Sequence, residues 1–449
     1  MTSPAQRLLG RLDAAGQRIP AHPHVVVEGR LRKVVGLTIE AVGCRVGIGG
    51  RCSITAADGR EVEAEVVGFG GDSTYLMPVS HPLGLLPDAP VISRRHISGA
   101  RIGEDWLGRV LDGEGMPLDG GERPRGERYM PLMPAPLNPL QRNPINEPLD
   151  VGVRAVNALL SLGRGQRIGL FAGPGVGKST LLGMMTRYTA ADVIVVGLIG
   201  ERGREVRDFV QDTLGPEAMS RACVIATPSD CSPLMRLNGA WLSSAVAEYF
   251  RDRGQQVLLL MDSLTRFAQA GREVGLAIGE PPTTRGFPPS VFARIPQLVE
   301  RAGQGGPGQG SITGIYTVLT EGEDGHDPVS ETARSVLDGH LVLSRSIAEA
   351  GIYPAIDIEA SLSRLANVVT TPEQRQCVAQ VRSLISAYQR SYDLIRIGAY
   401  QKGSDPVLDK AVNAWPSLQK FVSQEFGDSA NFADSLSALS QLMREVNPS

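Results

Sequence analysis

Residues 172–179 read Ala-Gly-Pro-Gly-Val-Gly-Lys-Ser and stand between two differently patterned segments. The apolar segment before them predicts a buried strand, and the segment after them predicts a helix, which is the context that a phosphate-binding P-loop requires. Glycines let backbone N–H groups turn toward phosphate oxygens, and the start of a helix adds partial positive charge. The motif therefore predicts a nucleotide site formed by consecutive residues: Gly173, Pro174, Gly175, Val176, Gly177, Lys178, Ser179 and Thr180.

Two side chains of this loop and one from a later strand carry the predicted phosphate chemistry. Lys178 is expected to reach the β- and γ-phosphates, and Ser179 is expected to offer its hydroxyl to Mg²⁺. Residues 257–262 read VLLLMD, an apolar strand that ends in a single carboxylate. An aspartate at a strand end is often only a cap, but beside a P-loop Asp262 is predicted to hold the Mg²⁺ that comes with ATP.

A third motif, Gly-Glu-Arg-Gly-Arg-Glu at 200–205, follows the apolar segment 193–199. Ligands of doubly wound sheets bind at the carboxyl ends of the strands. Glu201 is therefore placed to polarise an attacking water molecule. The alternative for this residue is a surface ion pair with a neighbouring arginine.

From about residue 155 onward, apolar strand-like runs alternate with helical patterns. Continuous apolar runs are typical of parallel strands that are buried on both faces. The alternation predicts an α/β, doubly wound core. Strands are expected at 167–172, 193–199, 222–227, 257–261, 312–319 and 340–344.

The remaining segments predict less regular or helical structure. Proline-rich residues 131–148 favour an extended linker into the core, and glycine-rich residues 302–310 favour a flexible surface loop. After about residue 371 the pattern is helical. Residues 24–92 alternate polar and apolar residues with glycine punctuation, which predicts a small β-barrel.

The N-terminal barrel could in principle bind nucleic acid, but such barrels use stacking aromatics and a basic groove. Residues 24–92 offer only Phe69 and Tyr75 as aromatics, so a structural collar that joins subunits is favoured. Residues 3–15 predict a short helix with Leu8, Leu9 and Leu12 on one face. This segment is a frayed terminus, a helix packed on its own domain, or a helix that binds a partner.

Composition excludes several classes of function. The net charge of −3 gives no support to a general nucleic-acid or membrane-surface role. No apolar run approaches the roughly 18–20 residues that span a bilayer, and the N-terminus has no apolar signal-peptide core. The 5 cysteines form no CxxC, and the 6 histidines form no HExxH. They indicate reduced thiols and no histidine-bound catalytic metal.

Four motifs taken together identify a family. GPGVGKST, GLIGERGREVRDF, VLLLMDSLTRFAQA and GIYPAIDIEASLSR resemble the F-type and V-type rotary ATPases, and within them the flagellar branch of the type III export ATPases. The likeness covers nearly the whole chain. It implies an N-terminal β-barrel, a RecA-like P-loop core and a C-terminal helical domain. The boundaries expected for these domains are 23–95, 96–370 and 371–449, after a partner-binding helix at 1–22.

The resemblance also implies roles for individual residues. Glu201 matches the glutamate that activates water and is followed by Arg202, as in the family. Asp262 matches the strand-end aspartate, with Arg266 four residues later. The implied catalytic residues are Glu201, Arg202, Lys178 and Arg364.

Two of the residues implied by the resemblance lie far from the P-loop in sequence. Tyr353, in Gly-Ile-Tyr-Pro, matches a tyrosine that stacks on adenine. Arg364, in Ser-Leu-Ser-Arg, matches an arginine finger that is offered to the site of the neighbouring subunit. From the residues alone, core packing stays open for Tyr353 and a structural ion pair stays open for Arg364.

The family further implies that ATP hydrolysis helps to unfold flagellar substrates and deliver them to a membrane export gate. It implies a homohexamer in the cytoplasm, at the inner face of the membrane. Residues 278–289 lie where the family places a loop that faces a central stalk. The implied partners are a regulatory or stator protein at the N-terminal helix, a coiled-coil stalk, export-gate membrane proteins, and export substrates with their chaperones, but no nucleic acid.

Other members of the superfamily fit less well. A non-catalytic nucleotide-binding subunit typically lacks the glutamate that Glu201 supplies, and a Rho-like RNA translocase needs an RNA-binding barrel. The acidic loop of ATP synthase β subunits is absent, and GAYQKGSDP at 398–406 stands in that region, which argues against ATP synthesis. The injectisome ATPase of virulence secretion shares the chemistry and is the nearest alternative.

Overall fold

The computed structural model describes residues 28–320 and 327–447. The chain divides into two compact units, Met1–Ile97 and Ser98–Ser449. The helix predicted within residues 1–22 lies outside the described residues.

The first unit is a closed barrel of antiparallel strands in the order β1-β2-β5-β4-β3-β6. Alternation along each strand sends Leu31, Ile39, Val66 and Leu76 into a common apolar interior. This confirms the predicted barrel. Its strands are β1 (Glu28–Val35), β2 (Thr38–Val42), β3 (Gly50–Thr55), β4 (Glu61–Gly70), β5 (Ser73–Pro78) and β6 (Pro90–Ile97).

The second unit is built on a mainly parallel sheet in the order β17-β16-β10-β15-β13-β11-β12-β8, with β14 paired to β15. The central strands are apolar along their whole length because helices cover both faces. The sheet matches the predicted α/β core, and the short edge strand β8 is an addition to it. The strands of this unit are β7 (Gly99–Ile102), β8 (Arg109–Leu111), β9 (Arg128–Pro131), β10 (Arg167–Ala172), β11 (Val193–Ile199), β12 (Ala222–Thr227), β13 (Gln256–Asp262), β14 (Gly303–Gln304), β15 (Ser311–Leu319), β16 (Gly339–Leu343) and β17 (Leu362–Ser363). Of these, β7 and β9 pair with each other in a separate two-stranded antiparallel sheet.

Several helices of this unit begin at a short polar side chain that accepts a hydrogen bond from the first turn. Ser232, Ser263 and Thr371 cap three of them in this way. The helices are α1 (Lys178–Tyr188), α2 (Gly203–Asp208), α3 (Gly215–Ser220), α4 (Pro233–Asp252), α5 (Leu264–Ala277), α6 (Pro289–Val299), α7 (Pro328–Val336), α8 (Arg345–Glu349), α9 (Ala366–Val369), α10 (Pro372–Arg390), α11 (Tyr392–Arg396), α12 (Pro406–Val422) and α13 (Phe432–Val446).

The glycine-rich segment 302–310 is not the flexible surface loop that its composition predicts. Gly303 and Gln304 form β14, and Gly310 donates its backbone N–H to Arg251 O at 2.9 Å. A Cβ at Gly310 would lie 1.9 Å from Gln255 O. These glycines are required by close backbone packing, a role that composition does not distinguish from flexibility.

The proline-rich segment 131–148 is held against the core at several points, including contacts of Arg142 and Asn143. Arg142 donates to Ala302 O and to Glu300 O, each at 2.7 Å. A short 3₁₀ turn at Pro139–Gln141 interrupts the extended backbone. The segment is thus part of the second unit.

The C-terminal helices share one apolar core with the sheet, to which Val381, Leu418 and Leu442 contribute. Tyr388 and Trp415 stack face to face at 3.8 Å between α10 and α12. The division of this unit at residue 370 into a nucleotide domain and a helical domain stays a proposal. No helix among the described residues is long and apolar enough to cross a membrane.

Candidate active site

The P-loop lies between the end of β10 at Ala172 and the start of α1 at Lys178. Gly175 and Gly177 have φ values of +76° and +87°, a left-handed backbone that glycine adopts without strain. Within the described chain, no side chain caps the first turn of α1. The backbone N–H groups of that turn are the donors that an anion would use.

Three side chains predicted from separate motifs meet beside this loop. Lys178 Nζ lies 2.7 Å from Asp262 Oδ1 and 3.5 Å from Glu201 Oε1. Asp262 Oδ1 also accepts from Thr317 Oγ1 at 2.6 Å. The parallel strands β10, β11, β13 and β15 lie side by side, so their carboxyl ends bring these groups to one edge of the sheet. Thr317 has no motif of its own in the sequence, and only its register on β15 places it here.

The surroundings of this cluster shift the pKa values of Glu201 and Lys178. Burial, followed by the negative charge of Asp262, raises the pKa of Glu201 to about 7. Burial lowers the pKa of Lys178, but the attraction of Asp262 and Glu201 outweighs it, so the pKa of Lys178 is raised overall. A carboxyl group that titrates near neutral pH is suited to accept a proton from water.

The pH dependence of turnover should report this carboxyl group. A general base must be ionised, so kcat/KM for ATP should rise with pH through about 7 and level off above it. Steady-state phosphate release across that range, at constant ionic strength, measures the profile. A profile that stays flat through neutral pH would show that Glu201 is not the titrating base.

A cavity of about 680 Å³ opens on the other side of the P-loop. The ring of Tyr353 packs next to Gly177 of the P-loop. A Cβ added at Gly177 would lie 3.4 Å from that ring. Lys420, Gln424 and Phe426 line the opposite wall, and the Arg187 guanidinium lies 4.5 Å from the centre of the Phe426 ring. The cavity therefore offers two aromatic rings next to the phosphate loop.

Gln424 fixes the geometry of this cavity. Its backbone N–H donates to Tyr353 O at 2.8 Å, and its side chain donates to Gly152 O at 2.8 Å. Its Oε1 accepts from the backbone N–H of Arg154 at 2.8 Å. Sequence reasoning missed Gln424 and Phe426 because they lie in the helical region, far along the chain from every nucleotide motif.

Tyr353→Ala should weaken ATP binding by about 5- to 150-fold, because stacking of a base on an aromatic ring is worth about 1–3 kcal/mol. Tyr353→Phe keeps the ring and should bind as the parent does. Titration with a fluorescent ATP analogue measures both, and Tyr392→Ala, another half-exposed tyrosine, serves as the control. Equal affinity for Tyr353→Ala and the parent would remove Tyr353 from the base-binding site.

The remaining predicted residues lie outside this cluster in the single chain. Ser179 and Thr180 are exposed at the start of α1. The side chain of Arg202 is 79% exposed and lies 3.5 Å from Glu205. Arg266 packs against Gly200, the residue before Glu201. If Gly200 carried a side chain, its Cβ would lie 2.8 Å from the Cβ of Arg266.

Arg364 lies at the opposite end of the sheet from the P-loop. Its backbone N–H donates to Asp338 O at 3.0 Å, and Asp338 pairs with Arg167 at the start of β10. The P-loop follows the other end of that strand, roughly 17–20 Å away at about 3.3 Å per residue. Arg364 is exposed and cannot reach the P-loop of its own chain from there.

Comparison with known proteins places this site in a family. Residues 152–363 match the model of the ATP synthase alpha/beta family, nucleotide-binding domain, and residues 370–441 match the T3SS EscN ATPase C-terminal domain. The chain is 54% identical to the flagellum-specific ATP synthase of Salmonella typhimurium, over 99% of this chain and 100% of that protein. The chain belongs to the family of flagellum-specific ATP synthases and type III secretion ATPases. As a member of this family, it hydrolyses ATP.

Other members of the family agree with this assignment. The flagellum-specific ATP synthase of Pseudomonas aeruginosa is 53% identical over 98% of both chains. The type 3 secretion system ATPase of Xanthomonas euvesicatoria is 45% identical over 92% of this chain and 93% of that protein. The assembled ATPase EscN of enteropathogenic E. coli superposes with a TM-score of 0.87 at 41% identity, over 92% of this chain and 99% of EscN.

Proposed function

We propose that this chain is the ATPase of a flagellar type III protein export apparatus, where hydrolysis helps to unfold flagellar substrates and deliver them to the export gate. The observation that carries the proposal is an intact Lys178–Glu201–Asp262 cluster in a chain that matches flagellum-specific ATP synthases from end to end. Export substrates, their chaperones and export-gate membrane proteins are its proposed partners. Its proposed place is the cytoplasmic face of the membrane.

Glu201 is the proposed general base for the attacking water. Its side chain is 11% exposed, and its burial keeps a proton acceptor close to neutral pKa next to the phosphate loop. Lys178 and the N–H groups of α1 hold the phosphates and stabilise the charge that develops on them. Proton transfer from water to Glu201 accompanies attack on the γ-phosphorus and departure of ADP.

The protein oxygens beside the loop fit a Mg²⁺ ion that arrives with ATP. Mg²⁺ is usually held by one or two carboxylates together with substrate phosphates and water. Ser179 and Asp262 supply such oxygens, and within residues 28–320 and 327–447 no group of three or more acidic, His or Cys side chains could hold a metal ion. Bound there, Mg²⁺ neutralises phosphate charge. Lys178 and Thr317 both contact Oδ1 of Asp262, so its other carboxylate oxygen would be available to the ion.

The proposed assembly is a homohexamer in which each subunit completes the site of its neighbour. Glu201 and Arg364 are both present in one chain. Arg364 lies at the end of the sheet opposite the P-loop, so it cannot reach the P-loop of its own chain. EscN has been solved both assembled and in complex with its central stalk EscO. By analogy, a coiled-coil stalk contacts residues 278–289 of this chain, of which 281–285 are exposed.

Deleting residues 2–18 should weaken the binding of a regulatory partner and leave ATP binding unchanged. A helix predicted from the sequence would carry Leu8, Leu9 and Leu12 on one face, an apolar stripe suited to a groove on a partner. A pull-down titration with the partner protein measures the first effect, and nucleotide titration measures the second. Unchanged partner affinity would remove the helix from the interface.

Deletion of the gene in its own host tests the function. Filament assembly and secretion of flagellar subunits should be lost, and a plasmid copy should restore them whereas Lys178→Ala should not. The similarity to EscN and to the Xanthomonas enzyme favours an injectisome ATPase as the second candidate. Intact flagella with lost effector secretion would favour that candidate and reject the flagellar one.

A further inference from the structure

Arg364 is held at two points at the edge of the sheet. Its backbone N–H bonds Asp338 O at 3.0 Å, and its Nη2 donates to Arg334 O at 3.2 Å. Arg334 lies in the last turn of α7 (Pro328–Val336), where carbonyl groups lack partners within the helix. The N–H group four residues on, that of Asp338, donates to Arg167 O instead. The end of α7 is therefore capped by the guanidinium of Arg364.

The side chain of Arg334 faces the strand that leads into the P-loop. Its guanidinium carbon lies 4.0 Å from the centre of the Phe171 ring. Among the described residues no carboxylate pairs with this guanidinium, so the aromatic face is its main contact. Phe171 is the penultimate residue of β10 and stands two residues before Gly173.

The Phe171 ring is also fixed from the strand side. A Cβ at Gly169 would lie 2.5 Å from Phe171 Cε2, so the absence of a side chain there leaves room for the ring. His340 on β16 packs edge-on against the same ring at 5.9 Å. One continuous set of contacts thus runs from the P-loop strand through Phe171 and Arg334 to Arg364.

We propose that Arg334 is a positioning residue. Within one subunit it links the P-loop strand to the guanidinium of Arg364, and that guanidinium serves the site of the neighbouring subunit. The inference rests on the proposed role of Arg364 as an arginine finger. The Phe171 ring holds the side chain of Arg334 and so fixes the last turn of α7. The Arg334 carbonyl in that turn accepts from Arg364 and orients its guanidinium. A nucleotide that shifts β10 in one site would then shift the arginine that serves the next site.

Arg334→Ala should lower kcat by about 10- to 100-fold, because misplacing a catalytic group by about 1 Å has effects of that size. ATP affinity should be unchanged, since Arg334 does not touch the nucleotide cavity. Arg334→Lys keeps a cation over the ring and should recover part of the loss. If Arg334→Ala fails to form rings, Arg334→Gln replaces it in every step.

Mixed rings show on which side of the site Arg334 acts. If it acts through Arg364, Arg334→Ala subunits should regain activity with Lys178→Ala subunits, which offer an intact arginine. They should gain none with Arg364→Ala subunits. The reverse pattern, or full activity of Arg334→Ala rings, would overturn the inference.

The pair Arg364→Ala with Lys178→Ala is the reference in the same experiment. Failure of that pair to regain activity in proven mixed rings would reject the arginine finger itself. Success of the reference pair together with the reverse pattern for Arg334 would reject only the positioning role. The two failures are therefore distinguishable.

Discussion

Glu201→Gln should lower the ATP turnover rate by about 10²- to 10⁴-fold, the range that a general base contributes, with little change in ATP affinity. Glutamine keeps the shape of the side chain but cannot accept the proton of the attacking water. In the proposed mechanism the phosphates are held by Lys178 and by backbone N–H groups, and the substitution removes none of these donors. Phosphate release and nucleotide titration on the same preparation measure the two quantities.

Glu217→Gln is the matched control for this prediction. Glu217 is an exposed glutamate on α3, away from Lys178, Glu201 and Asp262. Its substitution should leave turnover near that of the parent. Turnover of Glu201→Gln close to the parent rate would show that another group activates water.

Arg364→Ala should lower turnover by about 10³- to 10⁵-fold, as loss of an arginine finger does in GTPases, with ATP binding retained. In the proposed shared site, a guanidinium supplied by the neighbour would stabilise the charge on the γ-phosphoryl oxygens only in the transition state. The measurement is the ATPase rate at a protein concentration where both proteins form rings.

Arg375→Ala is a close control, because the Arg375 guanidinium is also exposed and also donates to a backbone carbonyl, that of Asn367, at 3.2 Å. It should keep the parent rate. Equal and modest losses for Arg364→Ala and Arg375→Ala would indicate that both arginines only cap local backbone.

The phosphate side of the site was predictable because each of its groups follows a buried parallel strand. Apolar runs at 167–172, 193–199 and 257–261 indicate such strands, and topology then places Lys178, Glu201 and Asp262 together. The strand order brings these groups to one edge of the sheet, where Lys178 lies 3.5 Å from Glu201 and 2.7 Å from Asp262. The cavity beside Tyr353 had no such signal in the sequence, since Phe426 and Gln424 reach it through tertiary packing of the C-terminal segment.

The glycine-rich segment 302–310 shows why composition alone misleads. Glycine is favoured both in flexible loops and where two backbones approach closely. The close approach of Gly310 to the backbone of Gln255 shows that the second role applies here. Gln255 lies far from Gly310 in sequence, so composition gives no sign of this contact. The position of Arg364 also could not be predicted from composition. It depends on the short strand β17, which pairs antiparallel with β16 at the edge of the sheet.

Mixing Arg364→Ala with Lys178→Ala subunits tests most directly the claim that this ATPase is a ring with shared sites. Neither protein alone has an interface with both an intact P-loop and an intact Arg364, whereas mixed rings contain some. The ATPase rate against mixing ratio should rise from background to a maximum near equal amounts and fall again. A rate that stays at background at every ratio, with mixed rings shown by native mass spectrometry, would contradict the shared site.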